Sequence, residues 1–80
     1  MLNINYMYKK NEYAIKVGKN LKEARILKGL TQKEIAAEFR FTQQQYSRFE
    51  SGVSELNYEQ ILALCKRFDI TPNDLFDYYF

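Results

Sequence analysis

Between residues 31 and 60 three expected helix starts carry one local signal: a small polar residue followed three positions later by Glu or Gln. Thr31 with Glu34, Thr42 with Gln45 and Asn57 with Gln60 each match a capping box. In that box the first side chain accepts the backbone N–H of the third helical residue, whose side chain reaches back to the cap. Every box starts a helix, so the chain is cut into short helical pieces joined by tight turns. A first helix is expected over 12–28, after a candidate cap at Asn11. Its Ala14, Val17, Leu21 and Ala24 recur at three and four and share one face. Gly29 stops it, with Lys28 near the negative helix end. A second helix over 31–39 turns Ile35, Ala36 and Phe39 inward. A third over 43–50 buries Tyr46 and Phe49 and ends at Gly52. The fourth begins at Asn57 and brings Ile61, Leu62, Leu64, Cys65 and Phe68 inward. Thr71 caps a last turn or short helix, with Pro72 where a missing N–H costs nothing, and Leu75 and Phe76 pack it down. No stretch alternates apolar and polar residues long enough for a sheet. The expected fold class is all-α, a compact five-helix bundle.

Eighty residues, 46% of them apolar, build one domain around one small core. No apolar run reaches the length of a membrane span. The start, MLNINYMYKKNEY, lacks the basic-then-apolar order of a secretion signal. A single Cys forms no internal disulfide, which points to the cytoplasm. Cys65 itself falls on the inward face of the fourth helix and reads as core. With no His, a zinc site would need carboxylates alone and the usual proton shuttle is missing. No metal, no cofactor and no enzyme is expected. Charge is divided along the chain. Residues 1–48 carry ten basic and four acidic side chains, and residues 49–80 carry two basic and six acidic. A chain with one basic and one acidic end suits docking of one face on a polyanion, though chance clustering on solvated helix faces gives the same pattern.

The second and third helices are separated only by Arg40, Phe41 and Thr42, and neither can bury its apolar stripe alone. Such a pair reads as a helix-turn-helix or as an ordinary αα-corner, and spacing does not choose between them. The exposed face of the third helix tips the balance. Gln43, Gln44, Ser47 and Arg48 share that face, opposite Tyr46 and Phe49. Gln pairs bidentately with adenine and Arg with guanine in the major groove. Thr42 and the free N–H groups at the helix start suit a backbone phosphate. Nothing acidic lies on the strip before Glu50. Arg25 and Glu50 sit at the borders of the apolar faces of helices one and three, where a guanidinium and a carboxylate can meet.

The string Val17-Gly18-x-x-Leu21-Lys22-x-x-Arg25-x-x-x-Gly29-Leu30-Thr31-Gln32-x-x-Ile35-Ala36-x-x-Phe39, followed by Thr42-Gln43-Gln44-x-Tyr46-Ser47-Arg48-Phe49-Glu50-x-Gly52, resembles the lambda-repressor-like, Cro/C1 or XRE-type helix-turn-helix domain. The likeness closes with Ile61, Leu64, Phe68, Ile70, Leu75 and Phe76, and spans about 15–76. It implies a five-helix bundle with helix 43–50 as the recognition helix. It places Gln43, Gln44, Ser47 and Arg48 at or beside base-reading positions. It implies that Gln32 grips a phosphate and braces Gln43, and that Arg25 and Glu50 form a partly buried ion pair. Lys33, Arg40 and Thr42 fall where phosphates would lie. Arg40 stands where the family often has glycine, Leu56 where proline is common, and Phe41 and Tyr46 are bulkier than the usual residues.

The expected organisation is an N-terminal arm or extension over 1–12, a DNA-binding domain over 13–76, and an aromatic tail over 77–80. One recognition helix offers few base contacts, so the chain is expected to read a palindromic duplex operator as a homodimer. Tyr78, Tyr79 and Phe80 are the candidate dimer contacts. Ile4, Tyr6, Met7 and Tyr8 could serve instead, or the arm could lay Lys9 and Lys10 along the DNA backbone. The function expected is a sequence-specific transcriptional regulator, a repressor. Its rivals are an antitoxin-like regulator with a toxin partner and a helical protein-interaction module.

Overall fold

The computed structural model describes residues 12–77. They form α1 (Glu12–Leu27), α2 (Gln32–Glu38), α3 (Gln43–Ser51), α4 (Tyr58–Phe68) and α5 (Pro72–Phe76). The arm, up to residue 11, and Tyr78, Tyr79 and Phe80 lie outside the described residues.

Local chemistry sets both ends of most helices. The three expected boxes are all closed, and Thr71 with Asp74 makes a fourth. Each closed box satisfies two backbone donors that a helix start leaves open. The helix ends share a second device, a left-handed residue that folds the chain back on the last turn. Behind α2, Phe41 N–H donates to Ala36 C=O at 2.8 Å and Arg40 N–H to Ala37 C=O at 3.3 Å, a Schellman closure. The same pattern ends α3 at Gly52 and α4 at Asp69. Arg40 holds φ 59°, a conformation that disfavours a side chain by roughly 1–2 kcal/mol. Next to it, Phe41 stacks on Phe39 at 6.3 Å between ring centroids and meets Phe49 edge-on at 5.1 Å. Ring contacts of this kind exceed plain burial in worth, so the bulky Phe41 offsets strain in the turn it occupies.

The core is one cluster: Val17, Leu21 and Ala24 of α1, Ile35 and Ala36 of α2, Tyr46 of α3, Ile61, Leu64, Cys65 and Phe68 of α4, and Leu75 of α5. Leu62, expected inward, is 60% exposed. The stripe 61, 64, 65, 68 already fills the buried face of α4, and Leu62 lies 100° round the helix from Ile61. Phe76 is likewise only partly covered, while Leu75 is fully buried. α1 packs across α3 and α5, and Asn20 Nδ2 donates to Leu75 C=O at 2.9 Å, tying the end of α5 to the middle of α1. The result presents α3 at the surface, braced from behind by α1 and from one side by α2.

Candidate nucleic-acid interface

α3 begins at the Thr42 cap and buries one stripe. Tyr46 has no exposed surface and Glu50 very little. That choice turns Gln43, Gln44 and Arg48 to solvent, with Ser47 half-buried beside them. None of these four side chains has a partner in hydrogen bonds or ion pairs among the described residues except through its own backbone. Gln45, the remaining glutamine, spends its carboxamide oxygen on the cap, accepting Thr42 N–H at 2.9 Å. Lys33 at the start of α2, Arg40 in the turn and Thr42 are exposed around the strip. Arg48 is the last-turn cation of α3, and the strip carries no acid because Glu50 is turned inward.

Glu50 is the centre of the network behind the strip. Arg25 Nε donates to its Oε2 at 2.7 Å and Arg25 Nη2 to its Oε1 at 3.1 Å, a two-pronged pair. Arg25 Nη1 also donates to Leu30 C=O at 2.7 Å. Gln32 Nε2 donates to Glu50 Oε1 at 2.9 Å. The resemblance had Gln32 bracing Gln43, but among the described residues its hydrogen bond goes to Glu50. The amide has two N–H donors, and one of them is held inward by the carboxylate.

A helix-turn-helix family model matches residues 18–79, most of the chain. The chain belongs to the helix-turn-helix domain family. The solved DNA-binding domain of S. venezulae BldD has a similar fold, with a TM-score of 0.70 at 20% sequence identity. That alignment covers 82% of this chain and 99% of the BldD domain. No curated protein matches the chain. The fold and motif together place this helix-turn-helix domain in the Cro/C1, XRE-like superfamily. It is a DNA-binding regulator domain. Proteins of this kind lay the second helix of the pair in the major groove. Among the described residues no group of His, Cys, Asp or Glu is placed to hold a metal. No helix among them is long and apolar enough to cross a membrane.

In the helix-turn-helix domain the network fixes how α3 is held. Burial opposes the Glu50 charge, but hydrogen bonds from Arg25 and Gln32 outweigh it and hold the carboxyl below its usual range. The same contact raises the Arg25 guanidinium. The Glu50 carboxylate thus joins α1, α2 and α3, and Arg25 extends the network to the α1–α2 turn. Tyr46 stands beside it, and burial first, then the Glu50 carboxylate, push its phenol far above the usual range. Among the described residues its buried hydroxyl nevertheless reaches no partner in hydrogen-bond geometry. An unpaired buried donor costs about 1–3 kcal/mol. Tyr46→Phe is therefore expected to leave stability unchanged or raise it by about 1 kcal/mol. A urea melt showing a loss above about 1 kcal/mol would mean that the hydroxyl does bond to Glu50.

One residue essential to this placement was quoted in the sequence motif without a role. Gly18 faces α3 where a Cβ would lie 2.4 Å from both Phe49 C=O and Glu50 C=O oxygens. The absent side chain lets α1 approach the backbone of α3 directly. Its signs in the sequence were its place in the motif Val17-Gly18-x-x-Leu21 and a glycine inside an otherwise regular helix, a position that favours Ala by about 1 kcal/mol unless packing forbids it.

Proposed function

We propose that this chain is a transcriptional repressor of the cytoplasm that reads a palindromic duplex operator as a two-fold dimer. Gln43, Gln44, Ser47 and Arg48 face base edges. Gln32, through its second amide N–H, and Lys33, Arg40 and Thr42 face phosphates. The observation that carries the reading is the polar strip of α3: two amides and a guanidinium turned outward with a half-buried hydroxyl beside them, their side chains without partners among the described residues, and with the nearest acid held inward by Arg25. Desolvating such a strip against DNA breaks no side-chain bond to the described residues. Repression follows from occupying a site that polymerase needs. Dimer contacts come from the tail 77–80, with the reading domain over 13–76 and the arm before it.

The decisive experiment is selection of bound duplexes from a random library, followed by footprinting. A two-fold symmetric consensus with half-sites about 34 Å apart is expected. Absence of enrichment at low salt would remove the proposal.

Two sets of substitutions separate reading from positioning. Gln43→Ala and Arg48→Ala should each relax preference at a defined base pair, by about 1–3 kcal/mol against the preferred base. Lys33→Ala and Arg40→Ala should weaken all duplexes alike and lower the salt slope by about one. Titrations on specific and random duplexes over a range of salt distinguish the sets. Equal losses on both duplexes for Arg48→Ala would assign it to the phosphates.

Removing residues 77–80 should shift the chain toward monomer and weaken a full operator more than a half-site. Sedimentation equilibrium with and without the tail measures this, and an unchanged dimer constant would move the interface elsewhere.

A further inference from the structure

Four of the described helices carry a carboxylate in the first turn: Glu12 in α1, Glu34 in α2, Glu59 in α4 and Asp74 in α5. An acid there stabilises a helix, because the free N–H groups give that end a partial positive charge. The first turn of α3 carries none. Its third residue, where α2 has Glu34 and α5 has Asp74, is Gln45. α4 also closes its box with an amide, Gln60, but Glu59 beside it supplies the acid. The α3 box is closed all the same. Gln45 Oε1 accepts Thr42 N–H at 2.9 Å, and Gln45 N–H donates to Thr42 Oγ1 at 3.0 Å. Only the oxygen of a carboxamide can accept, so that bond fixes which way the amide faces. Nε2, with its two N–H donors, is left on the other arm of an exposed side chain and meets no acceptor among the described residues.

We propose that Gln45 is a further DNA contact of α3, closing the cap through Oε1 and donating through Nε2 to a backbone phosphate. The inference rests on the reading of α3 as the helix that lies in the major groove. Gln45 stands one turn before Arg48, and residues three apart on a helix are neighbours. At 100° per residue the outward strip 43, 44, 47, 48 lies between Glu50 on one side and Gln45 on the other. Gln32 is bonded to Glu50, so Gln32 and Gln45 stand on opposite flanks of the strip. A helix with its side chains nearly fills a major groove about 12 Å wide, so both flanks face sugar–phosphate walls. Gln45 is off the strip that meets base edges, which leaves a phosphate oxygen as its acceptor. The missing acid has the same explanation. A glutamate at 45 would close the box as well and would suit the helix end better, yet it would set a full negative charge against phosphate. Capping alone does not call for an amide here. An anion in front of α3 does.

The test compares Gln45→Glu, Gln45→Met and Gln45→Lys in the full chain. Urea melts measure the cap. Titrations of a random-sequence duplex and of the duplex recovered by selection, over a range of salt, measure the contact. Gln45→Glu keeps the acceptor and loses the donors, Gln45→Lys keeps a donor and loses the acceptor, and Gln45→Met loses both. The urea midpoint of Gln45→Glu is expected to equal or exceed that of the native chain, and those of Gln45→Met and Gln45→Lys to fall. Affinity should run in a different order. Gln45→Lys should bind at least as tightly as the native chain, Gln45→Met about fivefold more weakly, and Gln45→Glu roughly tenfold more weakly or worse. The losses should be alike on both duplexes, and the Gln45→Glu deficit should narrow as salt rises. Affinities that follow the urea midpoints would leave Gln45 as a cap alone and overturn the proposal. Native affinity in Gln45→Met would reduce the Gln45→Glu effect to charge, and a loss confined to the selected duplex would move the contact to a base edge; either result also overturns it. In each of these cases the native chain still binds, and the reading of α3 stands. A native chain that binds no duplex would overturn that reading and the role of Gln45 together.

Discussion

Glu50→Gln is expected to lower the unfolding free energy by about 3–5 kcal/mol, the usual cost of stripping a buried charge of its partner. Arg25 is the charge left behind. Its guanidinium side chain is 9% exposed, and among the described residues it bonds Leu30 C=O besides Glu50. In a domain whose total stability is of order 5–15 kcal/mol, such a loss is a large share. Replacing both partners together, as in Arg25→Met/Glu50→Leu, should recover much of it, because desolvation nearly offsets attraction in such pairs. A double-mutant cycle by urea melts measures the coupling, and a value below about 0.5 kcal/mol would dismiss the pair as a stabilising unit. The pair also predicts an acid transition. The folded carboxyl titrates below its ordinary value, so the unfolded chain binds the proton more tightly. Stability is then whole above the unfolded carboxyl range, near about pH 4–5, and is lost as pH falls through the lower folded value. Glu50→Gln should flatten that part of the stability profile. DNA binding should weaken without a change of preferred bases, because Glu50 lies behind the strip.

Gly18→Ala is expected to destabilise by about 3 kcal/mol or more, at the upper end for an overpacked core. On an exposed helix interior the same change would gain about 1 kcal/mol. The sign reverses here because the new carbon would sit 2.4 Å from two backbone oxygens and 2.8 Å from the Glu50 carbonyl carbon. No rotamer relieves a clash between Cβ and backbone, so α1 must move away from α3. That movement would stretch the Arg25–Glu50 bonds, which cross the same interface. Urea melts of Gly18→Ala against an exposed control, Ala37→Gly, should shift in the same direction for opposite reasons. A stabilised Gly18→Ala would show that the two helices do not pack this closely.

Features that three or four neighbouring residues decide among themselves were readable before the fold was known. The capping boxes at Thr31, Thr42 and Asn57 are closed by side chains three positions apart. Helix starts were therefore legible, and so was the polar strip, since α3 is short and its buried stripe at Tyr46 and Glu50 leaves one outward face. The family motif extended that reading to the whole bundle. Tertiary structure decided the rest, because it depends on residues far apart in the chain. Gln32 turned to Glu50, eighteen positions away, because that carboxylate already lay under α2, held by Arg25. Leu62 stayed in water because four neighbours had filled the buried stripe of α4, and apolar character alone does not rank them. Gly18 mattered through atoms it lacks, and only the approach of the α3 carbonyls reveals that. The orphaned Tyr46 hydroxyl is the same lesson from the other side: hydrophobic burial of the ring positioned a polar atom where local sequence supplied no partner.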